Sequence, residues 1–265
     1  MVKLQVASKP TLDEVLSIVN NESYGLSTLI QTINDTTPND TASADLSQLS
    51  DMLDSFIESL TNNYVTESDF LQMVAKGMRP RVGSVVSLQN TQTTTELWVV
   101  ADRNHDGVYG TVDLVPYNSG IVIKDFDDSN SPYPTSDIRT WLITTFKSGF
   151  STDIQNILKP MSVYTNTTTG NTTSDKVKLL SALEVHLTSE TEGLNKEGAS
   201  YPLFSSDKYR IRFDKTNDLY APKQWWLRTP SETDTNTCVV NTDGTLSDVV
   251  SFNNSSVLVV PCIRI

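Results

Sequence analysis

The block Gln224-Trp225-Trp226-Leu227-Arg228-Thr229-Pro230 constrains this chain more than any other stretch. A tryptophan that packs removes ~150–250 Å² from water, so leaving two adjacent ones exposed is costly. The block is therefore expected to be core with a buried polar tether, Arg228. The polar run after it, "SETDTNTCVVNTDG", is expected to start as a surface loop.

The 265 residues, 37% hydrophobic with four tryptophans, suffice for a real core. No window approaches the ~18 unbroken apolar residues of a membrane span. The opening "MVKLQVASKPTLDEV" lacks the apolar stretch of a secretory signal, so the chain is expected to stay soluble or leave the cell by another route. A formal net charge of −12 argues against nucleic acid as a partner. Residues 1–75 carry eleven acids and two bases, a net of −9; the rest carry 21 and 18, a net of −3. That shift suggests a division into an acidic segment, 1–80, and a domain, 81–265. Two cysteines, Cys238 and Cys262, are too few for a disulfide scaffold, and a reduced pair is expected. Only His105 and His186 offer imidazoles, few for general-base chemistry.

The acidic segment reads as helices joined by polar linkers. A capping box at Thr11–Glu14 starts a helix through Val19, and a second spans Leu26 to Ile33. After the linker "DTTPNDTASA", Leu46, Leu49, Leu53, Phe56 and Leu60 follow the 3,4 spacing of a coiled-coil seam for about two heptads. Such a helix either lies on its own chain or self-associates into a short bundle. A capped turn from Thr66 to Ala75 stops at Gly77. From Val82 the texture turns to strands: "GSVVSL", "TTELWVVADR" and "GVYGTVDLVPY". A helical patch at 135–158 has Trp141, Phe146, Phe150, Ile154 and Leu158 as its apolar face. "YTNTTTGNTTSD" (164–175) reads as a low-complexity loop, and 175–187 as strand turning helical. The class is α+β with a small, twisted, mostly antiparallel sheet.

Several blocks then appear in a telling order: Trp98-Val99-Val100, the turn Asn104–Gly107, Ser136-Asp137-Ile138-Arg139-Thr140-Trp141-Leu142, and Asp175-Lys176-Val177-Lys178-Leu179-Leu180-Ser181. Trp225–Pro230, Thr242-Asp243-Gly244 and Val260-Pro261-Cys262-Ile263 complete it. Over 82–265 the chain resembles a domain family of unknown function from bacteria and their phages, with the pattern "LRxWL … DKVxLLS … WWLRSP … DG … VRPA". That family is similar to the C-type-lectin-like fold shared by formylglycine-generating enzymes. Where the family has Arg-Pro-Ala, this chain has Val260-Pro261-Cys262, so the terminal arginine is missing at that position. The triplets that resemble sugar-binding calcium ligands in lectins are also missing, and fold alone does not fix function. The resemblance implies that Trp225, Trp226 and Leu227 alternate on a central strand, with at least one tryptophan in the core. Trp98, Trp141 and Arg228 join them, Arg228 donating to carbonyls or a carboxylate.

Among chemical candidates, Asp102, Asn104 and Asp106 fall at the first ligand positions of a calcium loop ending at Asp113, but strands flank it and a hairpin turn is the preferred reading. The resemblance places ligand contact on the late loops. There Asp234, Asn236, Asp248, Asn253 and Asn254 surround Phe252, adaptable polar groups about one ring that suit a sugar or polar epitope. No catalytic residue or cofactor is expected. The expected function is a phage virion structural protein, made in the host cytoplasm, whose residues 1–80 dock to other virion proteins or form a homo-oligomer, a trimer first. Its lectin-like domain would bind a host-surface glycan or protein. The alternatives are an enzyme of the formylglycine-generating type and a bacterial surface adhesion module.

Overall fold

The computed structural model describes residues 64–93, 97–166, 171–187, 197–205, 207–214, 221–231 and 236–265, with the side chains of 248 and 249 excepted. The chain divides into Met1–Asn63 and Tyr64–Ile265, and the described residues all belong to the second unit. The expected helices before residue 63, the 46–60 seam among them, lie outside the described residues.

Thr66 opens the first helix, α1 (Glu67–Ala75), its side chain accepting from the Asp69 amide. Gly77, at φ 73°, follows the helix end in the left-handed conformation that glycine adopts without strain. The helix buries Phe70, and its Glu67 carboxylate accepts from Ser151 Oγ at 2.6 Å and from the Gln89 amide at 2.9 Å. Ahead of it, β1 (Tyr64–Val65) pairs in parallel with β2 (Val85–Ser87). This unit therefore begins at Tyr64 and takes in a helix that composition had grouped with the acidic segment.

Two small sheets carry most of the domain. The first has the order β1-β2-β3-β4-β15-β8, with β3 Leu97–Arg103, β4 Val112–Pro116, β8 Val177–Leu179 and β15 Pro261–Arg264. The second has the order β13-β12-β11-β14-β5, with β5 Val122–Ile123, β11 Trp225–Pro230, β12 Asn236–Val240, β13 Leu246–Ser251 and β14 Leu258–Val259. Pairing is antiparallel except for β1 with β2 and β11 with β14. Val260 alone separates β14 from β15, so the chain steps from one sheet to the other across a single residue. The class is α+β, strand-rich with few and short helices. No helix among the described residues is long and apolar enough to cross a membrane.

The 135–158 patch is not one continuous helix. It forms α2 (Asp137–Trp141), a π-helical turn (Leu142–Phe146) and α3 (Thr152–Ile157), capped at Ser136 and Ser151. The interruption falls at Gly149, where the backbone meets the Asn90 side chain so closely that an added Cβ would lie 2.2 Å from Asn90 Oδ1. The Thr/Asn stretch is partly strand: β6 (Met161–Thr165) pairs with β7 (Asn171–Asp175), because ladder hydrogen bonds do not require apolar side chains. Past β8 the expected helix is a turn, closed by the Glu184 carboxylate accepting from the Ser181 amide at 2.9 Å.

Trp225 and Trp226 are both fully buried, on opposite faces of the middle strand β11. Each indole N–H is satisfied, Trp225 donating to the Arg210 carbonyl and Trp226 to the Lys124 carbonyl, at 2.8 and 2.7 Å. Trp98 is buried against Phe146 and Phe150, whereas Trp141 is half-buried at the rim beside Phe146.

Candidate functional site

Asn236 opens β12 directly opposite Ser251, the last residue of β13. The next turn carries exposed Asn253 and half-buried Asn254, so three of the sequence-predicted polar residues gather at one end of the β12–β13 pair. The turn is internally braced: Asn253 Oδ1 accepts from Ser251 Oγ, and Asn254 Oδ1 accepts from the amide and hydroxyl of Ser256. Asp248 lies on β13 but its side chain is outside the described residues, as is Asp234 altogether.

Phe252 differs from expectation. It is only 3% exposed and stacks on Phe126, ring centroids 5.1 Å apart, while Phe126 meets Trp226 edge-on at 5.5 Å. The Phe252 carbonyl accepts from the amides of Phe126 and Asp127. The ring is thus an anchor holding the polar turn to the core and is not itself an exposed contact; an apolar ring between two strands is worth more packed than wet.

The Asp102–Asp113 stretch is the turn from β3 to β4. Its oxygens go to protein donors: Asp102 Oδ2 lies 2.7 Å from His105 Nδ1, Asn104 Oδ1 accepts from the Gly110 amide, and Asp106 Oδ2 accepts from Arg264. Asn104 and Asp106 take left-handed backbone angles, φ 59° and 55°, which short polar side chains tolerate best. Among the described residues no three of His, Cys, Asp and Glu form a group able to hold a metal.

The interior holds a buried ionic network that sequence reasoning missed apart from Arg228. Arg228 Nη1 donates to Glu184 Oε2 at 2.5 Å and to the Leu179 carbonyl at 2.9 Å, Nη2 to Glu184 Oε1 and the Glu197 carbonyl, and Nε to the Tyr164 carbonyl. Lys178 Nζ donates to Glu184 Oε1 at 2.6 Å, and all three charged side chains are 1% exposed. Burial alone pushes the Glu184 carboxyl up, but the charges of Arg228 and Lys178 outweigh it and hold the group at about 2. Glu197, facing the same arginine, is pushed up instead, because burial there dominates the arginine's charge.

A second buried pair joins the chain's end to its first half. Arg264 grips Asp113 with Nε and Nη2 at 2.6 and 2.7 Å, and Tyr201 Oη donates to Asp113 Oδ2 at 2.6 Å. The His105 ring lies flat on the Tyr201 ring, centroids 3.8 Å apart. An arginine is therefore present near the C-terminus, at 264, although 260 is valine. No disulfide joins Cys238 and Cys262; the Cys262 thiol, 3.6 Å from Tyr201 Oη, is pushed to about 12 by burial and the nearby Asp113 charge. A third pair, Arg139 with Asp175, ties α2 to β7 bidentately at 2.9 and 2.6 Å. The signal for these was in the sequence, as single charges inside apolar runs: Lys178 in "VKLL", Asp113 in "TVDLV", Arg264 in "PCIRI".

No curated protein and no solved structure matches the chain. Residues 118–265 match the model of a domain family of unknown function, DUF6273, a span within the 82–265 region of the expected resemblance. The matched span contains Arg139, Asp175, Lys178, Glu184, Arg228 and the polar end of β12–β13, and with more than half of its length inside that match the chain belongs to the DUF6273 family.

Proposed function

We propose that this chain is a structural component of a phage virion, with a C-type-lectin-like domain that presents the polar end of β12–β13 to a glycan or protein on the host surface. In this reading residues 1–80 dock to other virion proteins and bring copies together, a trimer first. The gathering of Asn236, Asn253 and Asn254 above the Phe252–Phe126 stack carries the reading. Binding groups serve best on loops held by a rigid scaffold, and amide side chains donate and accept to sugar hydroxyls or peptide groups alike. The buried charges support it too, since Glu184, Asp113 and Asp175 are each spent on an arginine that ties elements together. A thiol held near 12, as at Cys262, stays protonated at neutral pH and makes a poor nucleophile, which weighs against cysteine chemistry of the formylglycine-generating kind at that residue.

The test has two arms. Mass spectrometry and microscopy of purified particles should find the protein in the virion. Asn236→Ala with Asn253→Ala should lower attachment to host cells at least about tenfold, the worth of one or two neutral hydrogen bonds, with the melting temperature unchanged. Undiminished attachment, or absence from particles, would overturn the reading.

A further inference from the structure

The large apolar side chains that stand exposed among the described residues are Met78, Val82, Val108 and Tyr109, the last as much as 87% exposed. They do not scatter. Met78 and Val82 lie on the link from α1 to β2, and Val108 and Tyr109 on the turn from β3 to β4. β2 starts at the end of the sheet where its antiparallel neighbour β3 stops and β4 starts, so both loops leave from one end. Arg79 fastens them together. Its Nε donates to the Gly110 carbonyl at 2.9 Å, and its Nη1 to the Val74 and Met78 carbonyls at 3.2 and 2.6 Å.

The same loops are basic in a chain of net charge −12. Residues 76–83 hold Lys76, Arg79 and Arg81 with no acid, and Arg103 joins them from the end of β3. Lys76, Arg81 and Arg103 are exposed. Burial first, and then the charge of nearby Arg103, lowers the Arg79 pKa. The two carboxylates of the turn are engaged with inner groups, Asp102 with His105, and Asp106 with His105 and Arg264.

Both loop tips stand clear of the fold. Gly77 and Gly83 bracket one, Gly107 and Gly110 the other, and a Cβ added at any of the four would meet nothing within 4 Å. Protein interfaces take up aromatic anchors in well-packed pockets, and a bare convex tip builds no wall of such a pocket. A fluid lipid interface closes around the tip instead. There cations attract anionic headgroups, tyrosine settles at headgroup depth, and apolar side chains reach the acyl boundary.

We propose that the paired loops 76–83 and 104–110 dock peripherally on an anionic lipid bilayer. Tyr109, Val108, Met78 and Val82 enter the headgroup layer, and Lys76, Arg81 and Arg103 meet the lipid phosphates around them. The acidic remainder of the chain does not prevent this, because charges more than about 8 Å from the surface are largely screened at physiological salt.

The full-length protein is sedimented with vesicles of equal parts phosphatidylglycerol and phosphatidylcholine, and with phosphatidylcholine vesicles alone. Binding is expected to the anionic vesicles, weaker to the neutral ones, and reduced by added salt. Arg81→Gln with Arg103→Gln should lower the partition coefficient about 25-fold, roughly fivefold per cation. Val108→Ser with Tyr109→Ser should lower it at least about tenfold. Both pairs should leave the melt within about 0.5 kcal/mol, as exposed positions do. Should either pair misfold, Tyr109→Ser alone, at the most exposed of the four apolar positions, decides in its place. No sedimentation with anionic vesicles, equal binding to both vesicle types, or undiminished binding by a folded variant overturns the proposal. So does capture on immobilised poly-L-glutamate without vesicle binding, which would give the patch to an acidic protein.

Discussion

Arg228 and Glu184, 44 residues apart in the chain, meet through two hydrogen bonds, the shorter 2.5 Å, with both side chains 1% exposed. The contact joins the central strand β11 to the turn after β8, and Lys178 completes it from β8 itself. Two cations around one carboxylate make Glu184 the group on which the others depend.

Glu184→Gln should therefore destabilise the domain by about 3–5 kcal/mol, the usual cost of removing one member of a buried ionic cluster. Urea unfolding measures it. A loss under 1 kcal/mol would mean that water or another carboxylate compensates Arg228 and Lys178.

The same carboxyl predicts an acid limb. Held at about 2 in the folded protein against 4.5 for a free glutamate, it contributes stability that is complete above about pH 4.5 and is lost as pH falls towards 2. The contribution is about 3 kcal/mol. Glu197 has the opposite sign: with its folded pKa raised above 4.5, it takes up a proton more readily when folded, so stability gains as pH falls towards about 4.5 and its contribution is constant below that. Glu197→Gln should remove that gain above pH 4.5 and leave the fall between 4.5 and 2 unchanged, measured by denaturation at each pH.

Gly198→Ala should lower stability by about 1–3 kcal/mol. Its φ is +114°, and an added Cβ would sit 2.6 Å from Glu184 Oε1, so both backbone and network are strained. Thermal melting reads the loss, and an unchanged melt would show that the 197–199 backbone can shift away.

Phe252→Ser should cost about 3 kcal/mol or more, like other large-to-small changes in aromatic cores, as should Trp226→Ala, at about 3–5 kcal/mol. Asn253→Ala should leave the melt within about 0.5 kcal/mol, as exposed positions do. Equal effects of the Phe252 and Asn253 changes would contradict the division into anchor and surface.

Residues 1–63 are expected to drive association through Leu46, Leu49, Leu53, Phe56 and Leu60. Light scattering of the full chain against Tyr64–Ile265 tests this, with an oligomer expected only for the full chain. The truncation starts at Tyr64 because β1 and α1 belong to the described unit.

The sequence by itself determined the α+β class, the burial of the WWLRTP block and the N-cap at Thr66, because these depend on neighbours close in the chain; the strand character of that block was what the family resemblance implied. It also marked Arg228 as a buried tether, since a guanidinium between apolar residues on a strand must find acceptors. What it could not determine was the far partner. Glu184 stood in a segment read as partly helical, and Asp113 pairs with Arg264 across 151 residues. Phe252 likewise looked like an exposed ring in a polar loop until the fold set it against Phe126. The helical patch expected over 135–158 is interrupted at Gly149, where Asn90, far away in sequence, leaves no room for a Cβ. Local pattern fixes which side chains must be buried; only tertiary packing decides which charge, ring or backbone atom they meet, because those partners are brought together by sheet order and not by spacing along the chain.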